Sequence, residues 1–146
     1  LHKAIRRQRQ MCIRDSTCDM TKEKLDFIYR LKTSALIEAS MMIGAVLAGA
    51  TGSEQKIVEA VASKVGLAFQ IQDDILDVTS TMEVLGKPIG SDEKNHKSTY
   101  VTYEGIEKAK QDVADLSEKA IAQMETLVVK NEFLTELLRY LISREK

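Results

Sequence analysis

Four residues near the middle of the chain have the types and the spacing of a metal-binding site. They stand at positions i, i+3, i+4 and i+7, as Gln70, Asp73, Asp74 and Asp77. On an α-helix this spacing places the side chains in one stripe. Neighbouring carboxylates repel one another, and apolar residues beside the stripe raise the cost of their desolvation, so the pattern predicts a compensating cation. The alternative is a solvated acidic face of a surface helix.

The ligand types of the stripe favour a hard divalent cation. Oxygen ligands without histidine or cysteine favour Mg²⁺, for which Mn²⁺ can substitute. Mg²⁺ usually takes one or two carboxylates and shares its other positions with water and substrate phosphates. Lysines that could bind such phosphates precede the stripe or follow it in a glycine-containing loop: Lys32, Lys87, Lys94 and Lys97. Lysines act as point charges for phosphates; solvated lysines are the alternative.

Composition predicts that helices position these residues. The chain of 146 residues has one proline and 44% hydrophobic residues, and helix-forming residues are plentiful. The fold class expected is therefore all-α, a bundle of long helices. A formal net charge of −1 gives no overall field to attract nucleic acid. The apolar stretch 34–50 contains Glu38 and is shorter than a membrane span, so no transmembrane segment is expected.

Two long helices are expected in the first half of the chain. The pattern from 21 to 50 predicts one helix that is amphipathic at first and then apolar nearly all round, which is typical of a central, buried helix. Gly44 and Gly49 would allow neighbouring backbones to approach closely. The stretch from Thr51 to Glu54 should end this helix and provide a capping box for the next one, expected over 53–79 and carrying the aspartates.

Residues 80–97 are expected to form a long, functional loop, and helices should follow it. Ser98-Thr99 would open a short helix that breaks at Gly105. A regular apolar seam then runs from Ile106 to Leu127; core packing explains it as well as a coiled-coil partner does. Asn131 should cap a last helix that buries its apolar residues, Phe133, Leu134, Leu137, Leu138, Leu141 and Ile142.

The N-terminal segment differs from the remainder of the chain. Residues 1–18 lack apolar periodicity and are basic, so they are interpreted as a non-native or disordered segment, with a nucleic-acid-binding arm as the alternative. Residues 19–146 are expected to be the C-terminal part of a helical domain. The two cysteines, Cys12 and Cys18, indicate neither a disulfide framework nor a zinc site, and a reducing cytoplasm is the expected location.

Three motifs closely resemble those of the trans-isoprenyl diphosphate synthases, especially the bacterial farnesyl diphosphate synthases. They are FQIQDDILD at 69–77, GKPIGSD at 86–92 and KST at 97–99. Lys32-Thr33 fits the same pattern, and the resemblance covers about residues 21–146. It implies a helical bundle around a deep cavity, with two aspartate-rich motifs facing each other across the entrance.

The resemblance also implies residue roles. Asp73, Asp74 and Asp77 would hold Mg²⁺, and the diphosphate or its metal shell would be contacted by Lys32, Thr33, Gln70, Lys87 and Lys97. Asp73, Asp74, Lys87 and Lys97 would be the catalytic residues. The tail with Arg144 and Lys146 would fold over the second substrate. The implied reaction condenses an allylic diphosphate with isopentenyl diphosphate head to tail, in an enzyme that is a homodimer when full length.

One part of the family pattern is missing. Residues 1–72 contain no first DDxxD-type motif and none of the isopentenyl-diphosphate-binding residues that accompany it. We therefore expect the chain to be a C-terminal fragment with little or no activity alone. Two alternatives stay open. One is a non-catalytic subunit of a hetero-oligomeric prenyl synthase, although the intact aspartate motif argues against it because such a subunit need not retain metal ligands. The other is a helical interaction module without chemistry.

Overall fold

The computed structural model describes residues 21–79 and 99–143, with side chains to residue 140. Within these ranges every regular element is helical, which confirms the all-α class. In chain order the elements are α1 (Lys22–Tyr29), a π-helical turn (Arg30–Ser34), α2 (Ala35–Leu47), α3 (Gly52–Thr79), α4 (Tyr100–Glu104), α5 (Ile106–Met124) and α6 (Glu132–Ser143). The predicted segment 1–18 and the whole of the predicted loop 80–97, with Lys87, Lys94 and Lys97, lie outside the described residues.

Helix α3 is the central element of the core. It starts one residue before the predicted position, and the predicted capping box is present: the Thr51 backbone N–H donates to Glu54 Oε2 at 2.8 Å, and the Glu54 N–H donates to Thr51 Oγ1 at 3.4 Å. Its buried apolar residues pack with those of α1, α5 and α6, among them Val61, Val65, Ile71, Leu25, Val113 and Leu138. The helix that carries the aspartates is thus fixed on several sides.

The single helix predicted over 21–50 is interrupted. The backbone of Lys32 leaves helical geometry, with φ −94° and ψ −112°, inside the π-helical turn that separates α1 from α2. No proline or glycine marks this position in the sequence. Local sequence therefore gave no signal for the kink, and π-helical turns of this kind are frequent at functional sites.

The prediction that the second half of that helix is buried was wrong. Helix α2 is strongly apolar, yet none of its residues is buried, and its large side chains stay exposed, such as Leu36, Ile43, Val46 and Leu47. Its main contacts among the described elements are with α3 and the π-helical turn. A methyl group at Gly44 would have no described atom within 4 Å, so the close approach of a neighbouring backbone expected there is not seen either.

The C-terminal helices follow the prediction more closely. Thr99 caps α4 reciprocally with Thr102, and Gly105, with φ +79°, separates α4 from α5. The apolar seam of α5 is confirmed as core, since Ala109, Val113, Ala120 and Met124 are buried.

Asn131 caps α6 as predicted, accepting from the Leu134 N–H at 2.9 Å. Of the residues expected to be buried there, Leu138 is buried but Phe133 is 76% exposed and Leu137 is 37% exposed. Only part of the apolar face of α6 therefore meets the described core.

None of the helices in the described ranges combines the length and the apolar character needed to cross a membrane.

Candidate functional site

The aspartate stripe lies at the C-terminal end of α3 and is largely buried. Gln70, Asp74 and Asp77 are 6%, 7% and 2% exposed, whereas Asp73 is exposed. A step of 100° per residue explains this division, because residues 70, 74 and 77 fall within about 60° of one another while 73 lies at the solvent edge of the stripe. The alternative of a solvated acidic face therefore does not describe Gln70, Asp74 and Asp77.

One carboxylate joins three elements. The Tyr29 hydroxyl at the end of α1 donates a hydrogen bond to Asp74 Oδ2 on α3. The backbone N–H of Tyr100, the first residue of α4, donates to the same Oδ2 at 2.8 Å and lies 3.1 Å from the Tyr29 hydroxyl oxygen. All three groups are buried. We call this arrangement the Asp74 junction; it fixes the orientation of a proposed metal ligand.

Helix α4 is anchored on its other side by the side chain of Tyr100. Its hydroxyl donates to Asp112 Oδ2 on α5 at 2.8 Å, and Lys22 Nζ lies 5.8 Å from the ring centroid. Burial, reinforced by the hydrogen bond to Asp112, raises the pKa of Tyr100. The hydroxyl therefore stays protonated and remains a donor across the physiological range.

Asp112 remains ionised in this contact. Burial acts to raise its pKa, but hydrogen bonds from Lys108 and Tyr100 together outweigh that effect and lower it. The Lys108 Nζ lies 2.5 Å from Asp112 Oδ1. A charged acceptor strengthens the Tyr100 hydrogen bond, which helps to hold α4 beside the aspartates.

The π-helical turn that contains Lys32 and Thr33 packs against α3. Lys32 is exposed and Thr33 is half-buried. The next residue, Ser34, is buried against Gly66 of α3. A methyl group at Gly66 would stand only 2.6 Å from the Cα and Cβ of Ser34. The turn is thus in direct contact with α3 one helical turn before Gln70.

The carboxylates fit a magnesium ion of the usual kind but not a three-carboxylate cage. Among the described residues no three acidic, histidine or cysteine side chains converge closely enough to hold a metal ion. Mg²⁺ does not need such a cage, since it takes one or two carboxylates and completes its shell with water and phosphate. Two buried carboxylates on one helix, with an exposed third beside them, match that demand.

Four predicted site residues lie outside the described residues: Lys87, Lys97, Arg144 and Lys146. Their roles stay predictions. Three residues that the fold places beside the stripe were not predicted from the sequence, namely Tyr29, Ser34 and Gly66. Gly66 offered a signal, because a glycine inside a helical pattern often marks a close packing contact.

The chain matches the family model for Polyprenyl synthetase over residues 6–138. The match starts inside segment 1–18, so the domain boundary placed at residue 18 stays a prediction. Among curated relatives, the farnesyl diphosphate synthase of Micrococcus luteus is 35% identical over 127 residues, which are 87% of this chain and 44% of that enzyme. The chloroplastic geranylgeranyl pyrophosphate synthase of Capsicum annuum is 46% identical over 103 residues, 70% of this chain and 28% of that protein.

Solved structures show the same fold. The heptaprenyl diphosphate synthase of Staphylococcus aureus superposes with a TM-score of 0.87 over 99% of this chain and 60% of that one, at 22% identity. The geranyltransferase of Helicobacter pylori, solved with magnesium and isoprenyl diphosphate, gives a TM-score of 0.70 over 90% of this chain and 43% of that one, at 32% identity. The chain spans less than half the length of the two curated relatives named above. The resemblance read from the aspartate, GKPIGSD and KST motifs is confirmed: this chain belongs to the polyprenyl synthetase family.

Proposed function

We propose that this chain is the part of a trans-prenyltransferase that binds the diphosphate of an allylic substrate together with Mg²⁺. The observation that carries the proposal is the Asp74 junction, which orients a buried carboxylate between Gln70 and Asp77. Buried carboxylates on one helix face are costly without a cation. Mg²⁺ would be held by Asp73, Asp74 and Asp77, with Mn²⁺ as a substitute.

The reaction proposed for the complete enzyme begins with cleavage of the allylic C–O bond. Diphosphate leaves with the bonding electron pair, the double bond of isopentenyl diphosphate attacks the resulting carbocation, and a proton is lost from the condensation product. Bound Mg²⁺ supplies charge to neutralise the departing diphosphate. Lys32, Lys87 and Lys97 would act on the same developing charge, and Thr33 and Gln70 would orient the diphosphate.

The tail residues Arg144 and Lys146 have a different proposed role. They would contact the diphosphate of isopentenyl diphosphate, the second substrate. Both positively charged side chains suit a phosphate ligand. This places the two substrates on different parts of the chain, with the aspartates serving the allylic one.

We also propose that the chain contains one half of the catalytic machinery and turns over little or no substrate alone. It spans 44% of the Micrococcus luteus enzyme, and residues 1–72 hold no first DDxxD-type motif. The exposed apolar side chains of α2 support this, because a complete helical bundle would cover them. The complete protein is proposed to be a cytoplasmic homodimer.

Two measurements test the proposal. First, calorimetry on the chain of 146 residues should show inorganic diphosphate binding that requires Mg²⁺ and disappears in Asp74→Asn. Second, a hybrid synthase should form a prenyl product from geranyl diphosphate, isopentenyl diphosphate and Mg²⁺. In that hybrid, residues 21–146 follow the part of the Micrococcus luteus enzyme that the match leaves uncovered.

The outcomes separate the alternatives. Diphosphate binding that is indifferent to Mg²⁺ and to Asp74 would favour an interaction module. Binding without turnover in the hybrid would favour a non-catalytic subunit. Robust product from the chain alone would refute the claim that it needs its missing half.

A further inference from the structure

Resting on the proposed function, we propose that Tyr29 and the Ser34–Gly66 contact are positioning elements that hold Lys32 in register with the aspartate stripe. Tyr29 and Ser34 are the residues on either side of the kinked segment 30–33, and each is anchored to α3. Neither residue belongs to a motif by which the sequence predicted the site. Their role would be to fix where the diphosphate-binding lysine stands relative to the metal-binding carboxylates.

The first anchor is the Asp74 junction. Tyr29 is 3% exposed and Asp74 is 7% exposed, so their hydrogen bond is shielded from water. In the low dielectric of the interior a hydrogen bond is electrostatically stronger than one exposed to water. Because Tyr29 donates to the same oxygen as the Tyr100 N–H, the end of α1 and the start of α4 are both tied to one proposed metal ligand.

The second anchor is a steric one. Gly66 is buried within α3, and Ser34 sits so close that a methyl group at Gly66 would stand 2.6 Å from both its Cα and its Cβ and 2.9 Å from its Oγ. The Ser34 Oγ is buried and makes no hydrogen bond within the described part of the chain. The contact is therefore made by close packing of two backbones and not by a polar interaction.

The two anchors fix the direction of the turn. Tyr29 contacts α3 at Asp74, and Ser34, five residues later, contacts it at Gly66, so the segment runs antiparallel to α3. Positions 66 and 74 are about 12 Å apart along a helix. Gln70 lies midway between them. The backbone of Lys32 and Thr33 therefore passes along the stretch of α3 between Gly66 and Asp74.

Calorimetry with inorganic diphosphate and Mg²⁺ on the full chain of 146 residues tests the first anchor. We expect Tyr29→Phe to weaken Mg²⁺-dependent diphosphate binding about tenfold or more, as removal of a hydrogen bond that orients a metal ligand typically does. Tyr140→Phe, at a residue that is 67% exposed, is the matched control and should bind like the unchanged chain. The Mg²⁺ concentration for half-maximal binding should rise in Tyr29→Phe only.

The second anchor is tested by coupling to Lys32. If Gly66→Ala displaces the turn, Lys32→Ala should cost several-fold less diphosphate affinity in the Gly66→Ala background than in the unchanged chain. Gly44→Ala, where nothing lies within 4 Å, is the matched control, and Lys32→Ala should keep its full effect there. If Gly66→Ala does not fold, Tyr29→Phe combined with Lys32→Ala gives the same comparison.

Each result decides the matter. The positioning role is overturned if Tyr29→Phe leaves the Mg²⁺ dependence unchanged, or if Lys32→Ala costs the same diphosphate affinity with and without Gly66→Ala. If Asp74→Asn still abolishes binding in that case, the proposed function stands without the positioning role. If the unchanged chain shows no Mg²⁺-dependent binding at all, the proposed function itself fails.

Discussion

Helices α1 and α2 flank the same π-helical turn but have opposite relations to the core. The more polar one, α1, buries Leu25, Ile28 and Tyr29. The strongly apolar one, α2, buries none of its residues, and Leu47 is 82% exposed. Burial in this chain is thus decided by which partner faces a helix and not by how apolar the helix is.

The difference follows from where the partners are. Helix α1 is close to both α3 and α4 and ends in the Asp74 junction, so its apolar residues and its tyrosine are enclosed. Among the described elements, helix α2 packs mainly against α3 and the turn. We infer that the part of the proposed site beside α1 is already enclosed by the described elements. We also infer that α2 presents a surface which the complete enzyme covers.

The largest expected effect falls on the α1 side, at the Asp74 junction. Asp74→Asn should lower the kcat/KM of the hybrid synthase roughly 1000-fold, about 4 kcal/mol, because it removes charge from the proposed metal site at the step where diphosphate departs. Steady-state kinetics at saturating Mg²⁺ measure it. Asp115→Asn, on α5, is the charge-matched control and should leave the rate unchanged. A fully active Asp74→Asn would remove the metal role.

Leu25→Ala should destabilise the chain by about 2 to 5 kcal/mol, since it opens a cavity at a fully buried position. Leu25 is 1% exposed. Urea unfolding followed by circular dichroism measures the change. A cost below about 1 kcal/mol would show that the α1 side is no better packed than α2.

Lys87→Ala and Lys97→Ala test whether the site binds an anion. Each should weaken diphosphate binding by roughly 1.5 to 3 kcal/mol if it makes a charge-assisted hydrogen bond. Lys119→Ala, on the exposed face of α5, removes the same charge elsewhere and should have little effect. Unchanged affinity in both Lys87→Ala and Lys97→Ala would remove these lysines from the site.

Low pH should loosen the packing of α4 against α5. The lowered pKa of Asp112 means that its ionised form stabilises the fold above the pKa of the unfolded chain, and that this contribution is lost as pH falls through the lower, folded-state pKa. The unfolding midpoint of Asp112→Asn should therefore vary less between neutral and acidic pH than that of the unchanged chain. An equal pH dependence in both proteins would contradict the assignment.

The smallest effect is expected on α2. Leu47→Ala should change the stability of the isolated chain by less than about 0.5 kcal/mol, because an exposed leucine gains little from burial. In the hybrid synthase the same substitution should cost more, since the added half would cover α2. Equal, small effects in both proteins would mean that α2 remains uncovered in the complete enzyme.

The sequence alone determined the helical class, the helix that carries Gln70, Asp73, Asp74 and Asp77, and the caps at Thr51 and Asn131. These features depend on periodicity and on hydrogen bonds between residues three or four apart, which local sequence specifies. The family resemblance followed from motifs that are equally local.

Tertiary structure alone decided the kink at Lys32, the hydrogen bond from Tyr29 to Asp74, and the packing of Ser34 on Gly66. The hydrogen bond and the packing contact join residues 45 and 32 positions apart, and the kink lies between them in the chain. Helical periodicity can predict which face a residue occupies, but not which distant backbone will meet that face. For the same reason hydropathy placed α2 in the core, while the fold left it exposed.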